Sequence, residues 1–345
     1  MLYRAPHATE CTRLIQYGLP RTFDSLDQVP LTGGYLIAPF TVTTETPVVW
    51  IEPDEWLRVK LPLPPALPTT ACVHPIDEAG ERAAYHRAFA QTSRRLSQNE
   101  VQKVVLSRRL KLRADEPFSS KDLLVNLIDG TAHGTVLLYR YADVFFCGCT
   151  PELLVRKRGQ QLESMCLAGT CPASEDPDRA RELASELMAD EKNRAEHEHV
   201  VHFMREVLGR ICHDVRIPRE PQILSLRHVQ HLHTPVSAKV LEGVNLPELV
   251  GDLHPTPAVA GTPVGEAKML IRQIEAYSRG FFAGACGYVD AAGDGEFSVG
   301  LRTGVFDGEG GWVYAGCGIV EGSVADDEFD EIDMKLKTIL SAFGE

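Results

Sequence analysis

The amino-acid sequence predicts a mixed α/β fold of the α+β kind, with short strands and long helices in one chain. Apolar and polar residues alternate at a period of two in short runs bounded by turn residues, which is typical of strands. Other stretches repeat apolar residues at helical spacing. The predicted strands fall within 1–60, 102–113, 145–170, 281–290, 296–306 and 311–319, and the predicted helices at 77–100, 121–129, 176–210, 244–252, 264–278 and 326–343.

Length and composition restrict the class of protein. The 345 residues allow one large domain or two ordinary ones. A net charge of −13 disfavours a nucleic-acid-binding protein, which is normally basic. The nine cysteines contain no CxxC pair, which is typical of reduced intracellular thiols. Residues 1–13 lack a signal-peptide core, and the longest apolar run, 281–289, is about half a membrane span. We therefore expect a soluble cytoplasmic protein.

The first part of the chain consists of predicted strands followed by a connector. Apolar runs at 34–40 and 47–51 are separated by turns, which predicts strands at the edge of a sheet. Five prolines lie between positions 60 and 75, which predicts an irregular connector ahead of helix 77–100. Beyond residue 77 the sequence contains no obvious linker and no internal repeat.

The strand predicted at 102–113 has an apolar face and a polar face. Lys103 lies on the polar face together with Val105 and Ser107, while Val104 and Leu106 lie on the other. This pattern alone leaves two interpretations open. Lys103 is either a solvated surface lysine or a lysine that serves a site.

Residues 145–170 predict a strand, a turn, a second strand, a hairpin turn at 157–160 and a third strand. Glu152 follows Pro151 in the first turn, and the fixed φ of proline holds such a position stiffly. A stiffly held carboxylate suits a catalytic acid and equally a solvated turn residue, so both interpretations stay open.

The segment 176–210 predicts one long, charged helix that contains EKNRAEHEH at 191–199. Its histidines suggest zinc, but an HExxH site would need histidine at position 201, where the sequence has Val201. A solvated helix face is the simpler interpretation. The segment 253–263 holds three prolines and a glycine, which exclude regular structure and predict a loop that lines a site.

The end of the chain predicts three strands in an antiparallel meander and a last helix. On the middle strand Arg302 shares a face with Gly300 and Gly304, which would leave space for a bound anion; a surface arginine is the alternative. In the last helix Glu328, Glu331 and Lys335 lie along one face, either as a site or as an acidic first turn favoured by the helix dipole.

Several stretches together resemble one family, the chorismate-utilising enzymes. They are KVVLSR at 103–108, TPELLVR at 150–156, LAGT at 167–170, EKNRAEHE at 191–198, HPTPAVAG at 254–261, GYV at 287–289, LR at 301–302, AGCGIV at 315–320 and EFDEIDMKL at 328–336. The resemblance implies a single chorismate-binding domain over 1–345, in which two large antiparallel sheets form a twisted sandwich flanked by helices. It covers the catalytic core, 77–345, while 1–76 match less well.

The resemblance also implies roles for individual residues. Lys103 would be the base that activates water and Glu152 the acid, and we expect burial to favour the uncharged form of each. Mg²⁺ would be held by Glu196, Glu328 and Glu331, near Asn193, which stands where some relatives have a carboxylate. The substrate-binding residues would be Gly169 and Thr170 at the ring carboxylate, His231 and Ala258 near the ring, and Arg302, Lys335 and the amides of Gly316 and Gly318 at the enolpyruvyl carboxylate.

Within the family, Lys103 and the HPTPA loop at 254–258 resemble isochorismate synthases, which implies hydroxyl exchange on chorismate. Alternatives are a salicylate synthase, an amine-adding synthase with a glutaminase partner, and a catalytically silent binding subunit. A metalloprotein using His197, His199, His202 and His231 is a further alternative. We expect Mg²⁺ as cofactor, chorismate as the small-molecule partner, and no nucleic acid, membrane or glutaminase subunit. Relatives of this type imply a monomer.

Overall fold

Two antiparallel sheets of ten strands each form the centre of this computed structural model, which describes residues 1–61, 72–76, 80–129 and 133–343. The strands are β1 Leu2–Arg4, β2 Glu10–Ile15, β3 Arg21–Phe23, β4 Gly34–Ala38, β5 Val48–Ile51, β6 Glu55–Lys60, β7 Val73–Ile76, β8 Lys103–Ala114, β9 Thr135–Tyr141, β10 Val144–Thr150, β11 Leu153–Arg158, β12 Gln161–Pro172, β13 Cys212–Arg216, β14 Gln222–Ser225, β15 Val229–Val240, β16 Gly261–Thr262, β17 Ala285–Val289, β18 Gly295–Val299, β19 Thr303–Phe306 and β20 Gly310–Ile319. The helices are α1 Glu81–Ser97, α2 Ser120–Asp129, α3 Pro177–Ala189, α4 Glu191–Ile211, α5 Leu246–Leu253, α6 Val264–Ile274 and α7 Ala325–Leu340, with 3₁₀ turns at Leu26–Gln28 and Ser341–Phe343.

The two sheets pack face to face, and helices cover their outer faces. The first sheet runs in the order β16-β8-β20-β19-β10-β9-β1-β2-β6, with β7 also paired to β8. The second runs in the order β13-β15-β12-β11-β18-β17-β4-β5-β3, with β14 also paired to β15. Tyr3 and Phe146 of the first sheet share a buried cluster with Tyr35 and Ile37 of the second. On the outside, α7 packs on β20 and α4 packs on β12. The predicted pair of large antiparallel sheets flanked by helices is confirmed.

Two neighbouring strands pass from one sheet to the other at the same level. The chain leaves the first sheet after β10 and enters the second at β11, and it returns between β18 and β19. The two crossings are hydrogen bonded to each other, because Val299 N donates to Glu152 O at 3.0 Å and Cys149 N donates to Arg302 O at 3.3 Å. The predicted acid Glu152 therefore lies on one crossing and Arg302 lies on the other.

The antiparallel pairings predicted at the end of the chain are confirmed, since β17 pairs with β18 and β19 pairs with β20, but the prediction of one continuous meander is wrong because of this crossing. The stretch 296–306 is two strands in different sheets, and Arg302 lies between them with φ 53°. The two glycines do not leave space for an anion. A Cβ on Gly300 would meet Phe281 O at 2.8 Å, and a Cβ on Gly304 would meet the Phe306 ring at 2.3 Å. Both glycines instead permit close backbone packing.

The single helix predicted over 176–210 is also wrong, because it is divided at Asp190. The side chain of Asp190 accepts a hydrogen bond from Asn193 N at 2.7 Å and so caps the start of α4. The helix predicted at 264–278 ends earlier, at Ile274. Of the predicted connector, residues 62–71 lie outside the described residues, and Val73–Ile76 pair with β8 as a strand.

The N-terminal strands complete one end of each sheet, as predicted for edge strands. β1, β2 and β6 extend the first sheet, and β4, β5 and β3 extend the second. In the part of the chain that the structure describes, no helix has both the length and the apolar character that crossing a bilayer requires.

Candidate active site

A cavity with about 660 Å³ of empty space opens where the two strands cross between the sheets. Among the predicted site residues, those that line it are Glu152, Gly169, Thr170, Glu196, His231, Ala258, Arg302, Gly316, Gly318 and Lys335. The structure thus brings ten of them to one cavity, from strands and helices far apart in the sequence.

Glu152 is buried in the wall of this cavity. Its side chain is 4% exposed, so the solvated-turn interpretation is wrong. Its backbone is fixed by the contact to Val299 and by a hydrogen bond from its own N–H to Thr150 Oγ1 at 3.3 Å. Burial raises the pKa of Glu152 to about 8, although the positive charges of Lys103, Lys335 and Arg302 act in the opposite direction. A carboxyl group that is protonated near neutral pH can donate a proton to a leaving hydroxyl.

Arg302 directs a buried guanidinium into the cavity from the other crossing. Burial lowers its pKa to about 10, which still leaves it charged at neutral pH. Nη2 donates to His231 Nε2 at 2.7 Å, and His231 Nδ1 lies 3.2 Å from Gly169 O. His231 must then be neutral, with its proton on Nδ1, and burial together with Arg302 lowers its pKa well below the usual value. His231 thus orients Arg302 from inside the wall.

Lys103 lies directly behind the cavity wall and is fully buried, so the solvated-lysine interpretation is wrong. Its Nζ is 3.1 Å from Glu196 Oε1, an ion pair by distance. This contact does not have the geometry of a hydrogen bond, so Nζ has no hydrogen-bond partner among the described residues. A Cβ on Gly318 would meet Glu196 Oε1 at 2.2 Å and Lys103 Cε at 2.7 Å, so only glycine fits between the pair and the cavity.

The three predicted metal ligands are each paired with a lysine. Lys103 pairs with Glu196, and the other pairs are Lys192 with Glu328 and Lys335 with Glu331. Burial pulls the pKa of Glu196 upward, but the neighbouring lysines outweigh it and hold that pKa below its usual value. Burial and the charge of Glu331 raise the pKa of Glu328, against the effect of Lys192. The negative charges of Glu331 and Glu196 therefore both contribute to the raised pKa of Glu328.

These residues fit a divalent cation in chemistry, but they are not arranged as a ready-made site. Within the described ranges, no three acidic, histidine or cysteine side chains converge in a way that would hold a metal ion. One oxygen favours a cation: Glu328 Oε2 is buried and has no hydrogen-bond partner among the described residues. A buried carboxylate oxygen without a partner is costly unless a positive charge reaches it.

The amides of Gly316 and Gly318 face away from the neighbouring strand. Beyond Tyr314, β20 pairs with β8 on one side only. Gly316 O accepts from Lys335 Nζ at 3.0 Å, so the backbone groups of this residue point to the open side. Alternate residues of a strand share this direction, and Gly318 therefore presents its N–H to the same side. This orientation suits the predicted binding of a carboxylate.

Gly169 and Thr170 form a bulge that is occupied by protein partners. Gly169 has φ 78°, and a Cβ there would meet Asn193 O at 3.2 Å. Thr170 N donates to Asn193 Oδ1 at 3.0 Å, and Asn193 Nδ2 donates to Asp190 Oδ1 at 2.8 Å. Asn193 was predicted to lie near the metal ligands. Its side-chain oxygen and nitrogen are instead both hydrogen bonded within the protein, which fixes the bulge to α4.

Sequence reasoning missed several residues of the wall. They are Val105, Pro151, Leu167, Ala168, Arg279, Phe282, Ala283, Leu301, Ala315 and Cys317. Most are apolar and carry no chemical signal of their own. Arg279 is the charged exception. The loop predicted to line a site does so through Ala258 and Val259.

The histidines of the zinc hypothesis do not come together. His197 is buried, with Nδ1 3.2 Å from Ala168 O and Nε2 2.8 Å from Thr234 Oγ1. Burial lowers its pKa to about 4, so the ring is a neutral part of the core. His231 is bound to Arg302 instead.

A comparison with known protein families matches residues 55–344 to the family described as chorismate binding enzyme. Among curated proteins, isochorismate synthase MenF of Bacillus subtilis is 35% identical over 258 residues, covering 75% of this chain and 55% of that protein. Isochorismate synthase DhbC of the same organism is 35% identical over 271 residues, covering 75% and 67%. The chain thus spans only about half the length of the first of these relatives.

Solved structures are similar over nearly the whole chain. A putative 2,3-dihydroxybenzoate-specific isochorismate synthase, DhbC from Bacillus anthracis, has a TM-score of 0.87 at 28% identity, covering 99% of this chain and 96% of that one. Anthranilate synthase component I from Streptococcus pneumoniae has a TM-score of 0.80 at 19% identity, covering 98% and 93%, and supports the fold alone.

Proposed function

Because the chain belongs to the chorismate-binding enzyme family, we propose that it interconverts chorismate and isochorismate. The observation that carries the proposal is a carboxyl group in the cavity wall whose pKa burial raises to about 8, Glu152, together with a fully buried lysine amine, Lys103, behind the same wall. The names of the relatives, isochorismate synthases at about 35% identity, support the same reaction.

The reaction takes up one water molecule and releases another. Water adds at C2, the ring double bonds shift, and the C4 hydroxyl leaves. Lys103 would accept the proton of the attacking water, and Glu152 would protonate the departing hydroxyl. Burial of Glu152 favours the protonated acid that its role requires.

Two carboxylates of the substrate need positive partners in a protein of net charge −13. Arg302, held by His231, and the amides of Gly316 and Gly318 would bind the enolpyruvyl carboxylate. Glu196, Glu328 and Glu331 would hold Mg²⁺, which would neutralise the ring carboxylate when bound. Glu196 is also the present partner of Lys103 at 3.1 Å, so this carboxylate can serve the lysine or a metal but not both fully.

The product distinguishes this proposal from a salicylate synthase. Ala258 and Val259 line the cavity with apolar side chains, which cannot hydrogen-bond a ring hydroxyl and re-aim the enolpyruvyl group for elimination. Purified protein with chorismate and Mg²⁺ at neutral pH should give isochorismate in equilibrium with chorismate. Chromatography would resolve the products, with the Glu152→Gln variant as the inactive control. Salicylate forming faster than isochorismate decays without enzyme would establish the alternative.

Turnover should depend on Mg²⁺, and Glu331→Gln should raise the Mg²⁺ concentration needed for half-maximal rate by about tenfold or more. The loss of one of three acidic ligands weakens a site built from carboxylates. Asp330→Asn is the matched control, because Asp330 is the neighbouring acid on α7 but is 66% exposed and pairs with Arg82. Full turnover after exhaustive chelation with EDTA would contradict the metal proposal.

The rate should also report the protonation of Glu152. A carboxyl group with a raised pKa carries its proton below that pKa and loses it above, so the acid form disappears as the pH rises through about 8. We expect kcat/KM to fall about tenfold per pH unit above this value. In Glu152→Gln the rate should be low at every pH, and the fall in kcat/KM above pH 8 should be absent. A wild-type profile that stays flat to pH 10 would rule out Glu152 as the acid.

A further inference from the structure

Arg279 connects the cavity wall to the strand that carries Lys103, although the sequence predicted no role for it. It lies between α6 and β17, lines the cavity and is 5% exposed. Its guanidinium packs 4.4 Å from the centre of the Phe40 ring. A buried arginine is rare unless protein groups engage its donors.

The donors of Arg279 are committed to three partners. Nη1 donates to Val259 O at 2.8 Å, and Nη2 donates to Val105 O at 2.7 Å. Nε and Nη2 also donate to the carboxylate of Glu275 at 2.8 and 2.6 Å. The guanidinium therefore joins the loop residue Val259 to a residue of β8 two positions from Lys103.

This bridge continues a pairing that the backbone cannot complete. β16 pairs with Lys103 and Val104 only, and one further hydrogen bond joins Val105 N to Ala260 O at 2.9 Å. The described loop residues before Ala260 are irregular, so their backbone does not continue the pairing with β8. The planar fork of arginine supplies donors to both carbonyl groups at fixed separation, which a lysine ammonium cannot reproduce.

Glu275 ties the bridge to the same strand a second time. Its Oε1 accepts from Ser107 N and from Ser107 Oγ, each at 2.9 Å, and Ser107 Oγ lies 2.8 Å from Tyr277 Oη. Glu275, which binds the arginine, is thus itself fixed to β8 through Ser107, while the arginine binds the loop residue Val259. Val105, Ser107 and Lys103 lie on one face of that strand.

We propose that Arg279 is a positioning residue, which fixes the Ala258–Val259 wall against β8 and so sets where the substrate ring lies relative to the Lys103 amine. The inference rests on the proposed function for its kinetic consequence. Its structural half, the fixed loop, holds for any ligand of the cavity.

The test compares Arg279→Lys with Arg156→Lys in the full chain. Arg156 also pairs with two acids, Glu163 and Glu296, but does not line this cavity. We expect Arg279→Lys to lower kcat on the order of 10²-fold with little change in KM, because misplacement by about 1 Å costs that much. Hydrogen–deuterium exchange should speed up in peptides over 254–262. Arg156→Lys should change neither quantity.

The outcomes separate the inference from the proposed function. A folded Arg279→Lys protein with near wild-type kcat, or with unchanged exchange over 254–262, would overturn the positioning role. If that variant does not fold, Glu275→Gln is judged by the same two measurements, and failure of both to fold makes Arg279 a general stability residue and ends the proposal. A wild-type protein that forms no isochorismate counts against the proposed function alone, because the exchange comparison needs no turnover.

Discussion

Replacing Lys103 with alanine should lower the rate of isochorismate formation by 10²–10⁴-fold, the usual contribution of a general base. The amine is fully buried, lies 3.1 Å from Glu196 Oε1 as an ion pair, and has no hydrogen-bond partner among the described residues. Initial rates at saturating chorismate and Mg²⁺ measure the effect.

The same substitution leaves Glu196 without its nearest partner, so the fold must be checked separately. Breaking a buried ion pair from one side costs about 3–5 kcal/mol, although Lys192 and Lys335 also act on Glu196 and should reduce this. Lys103→Met keeps most of the buried stem and is the control for packing. Both variants should be equally inactive. A folded variant that keeps more than about a tenth of the wild-type rate would show that Lys103 is not the base.

Gly318→Ala should lower kcat on the order of 10²-fold or more, although it adds a single methyl group. The new Cβ would overlap Glu196 Oε1 at 2.2 Å and Lys103 Cε at 2.7 Å, so the predicted base and a predicted metal ligand must both move. Displacements of about 1 Å at reacting groups have effects of this size. Steady-state kinetics on the purified variant would measure the loss.

Gly265→Ala is the matched control for the added methyl group. Gly265 is exposed in α6 and a Cβ there meets nothing within 4 Å. This variant should keep wild-type kcat and gain about 0.5–1 kcal/mol of stability, because alanine is the better helix former. If Gly318→Ala turned over as fast as Gly265→Ala, the close packing of the Lys103–Glu196 pair against β20 would not matter for catalysis.

The sequence was sufficient for the elements whose limits are set by local chemistry. Pro151 and Gly159, the latter with φ 57°, mark the two turns of 145–170, and all three strands there are where the pattern predicted them. The division at Asp190 had a signal too, because aspartate is a favoured N-cap residue at the start of a helix. The continuous charged pattern of 176–210 concealed it.

The remaining differences arise from long-range packing. The alternation of 296–306 runs through Arg302 without a break, and nothing in residue type marks the crossing to another sheet or the positive φ. The burial of Lys103 could not be predicted from the sequence either, because its strand face also carries polar residues. Arg279 and Glu275 have the spacing of an ordinary surface ion pair, yet both side chains are buried. The roles of the site residues came from family resemblance, and their arrangement came from the fold.

The three lysine–carboxylate pairs have a thermodynamic consequence. Their three negative and three positive side chains together contribute no net charge to the site before anything binds. Under the proposed function, the chorismate dianion and the divalent cation together add no net charge. Either one alone would have to disturb a lysine–carboxylate pair to find an opposite charge. Binding of the two is then reciprocally linked, and each should tighten the other by the same factor. Titrations of chorismate at several Mg²⁺ concentrations, and of Mg²⁺ at several chorismate concentrations, should therefore give the same coupling factor. Binding of the two together should be less sensitive to ionic strength than binding of either one alone.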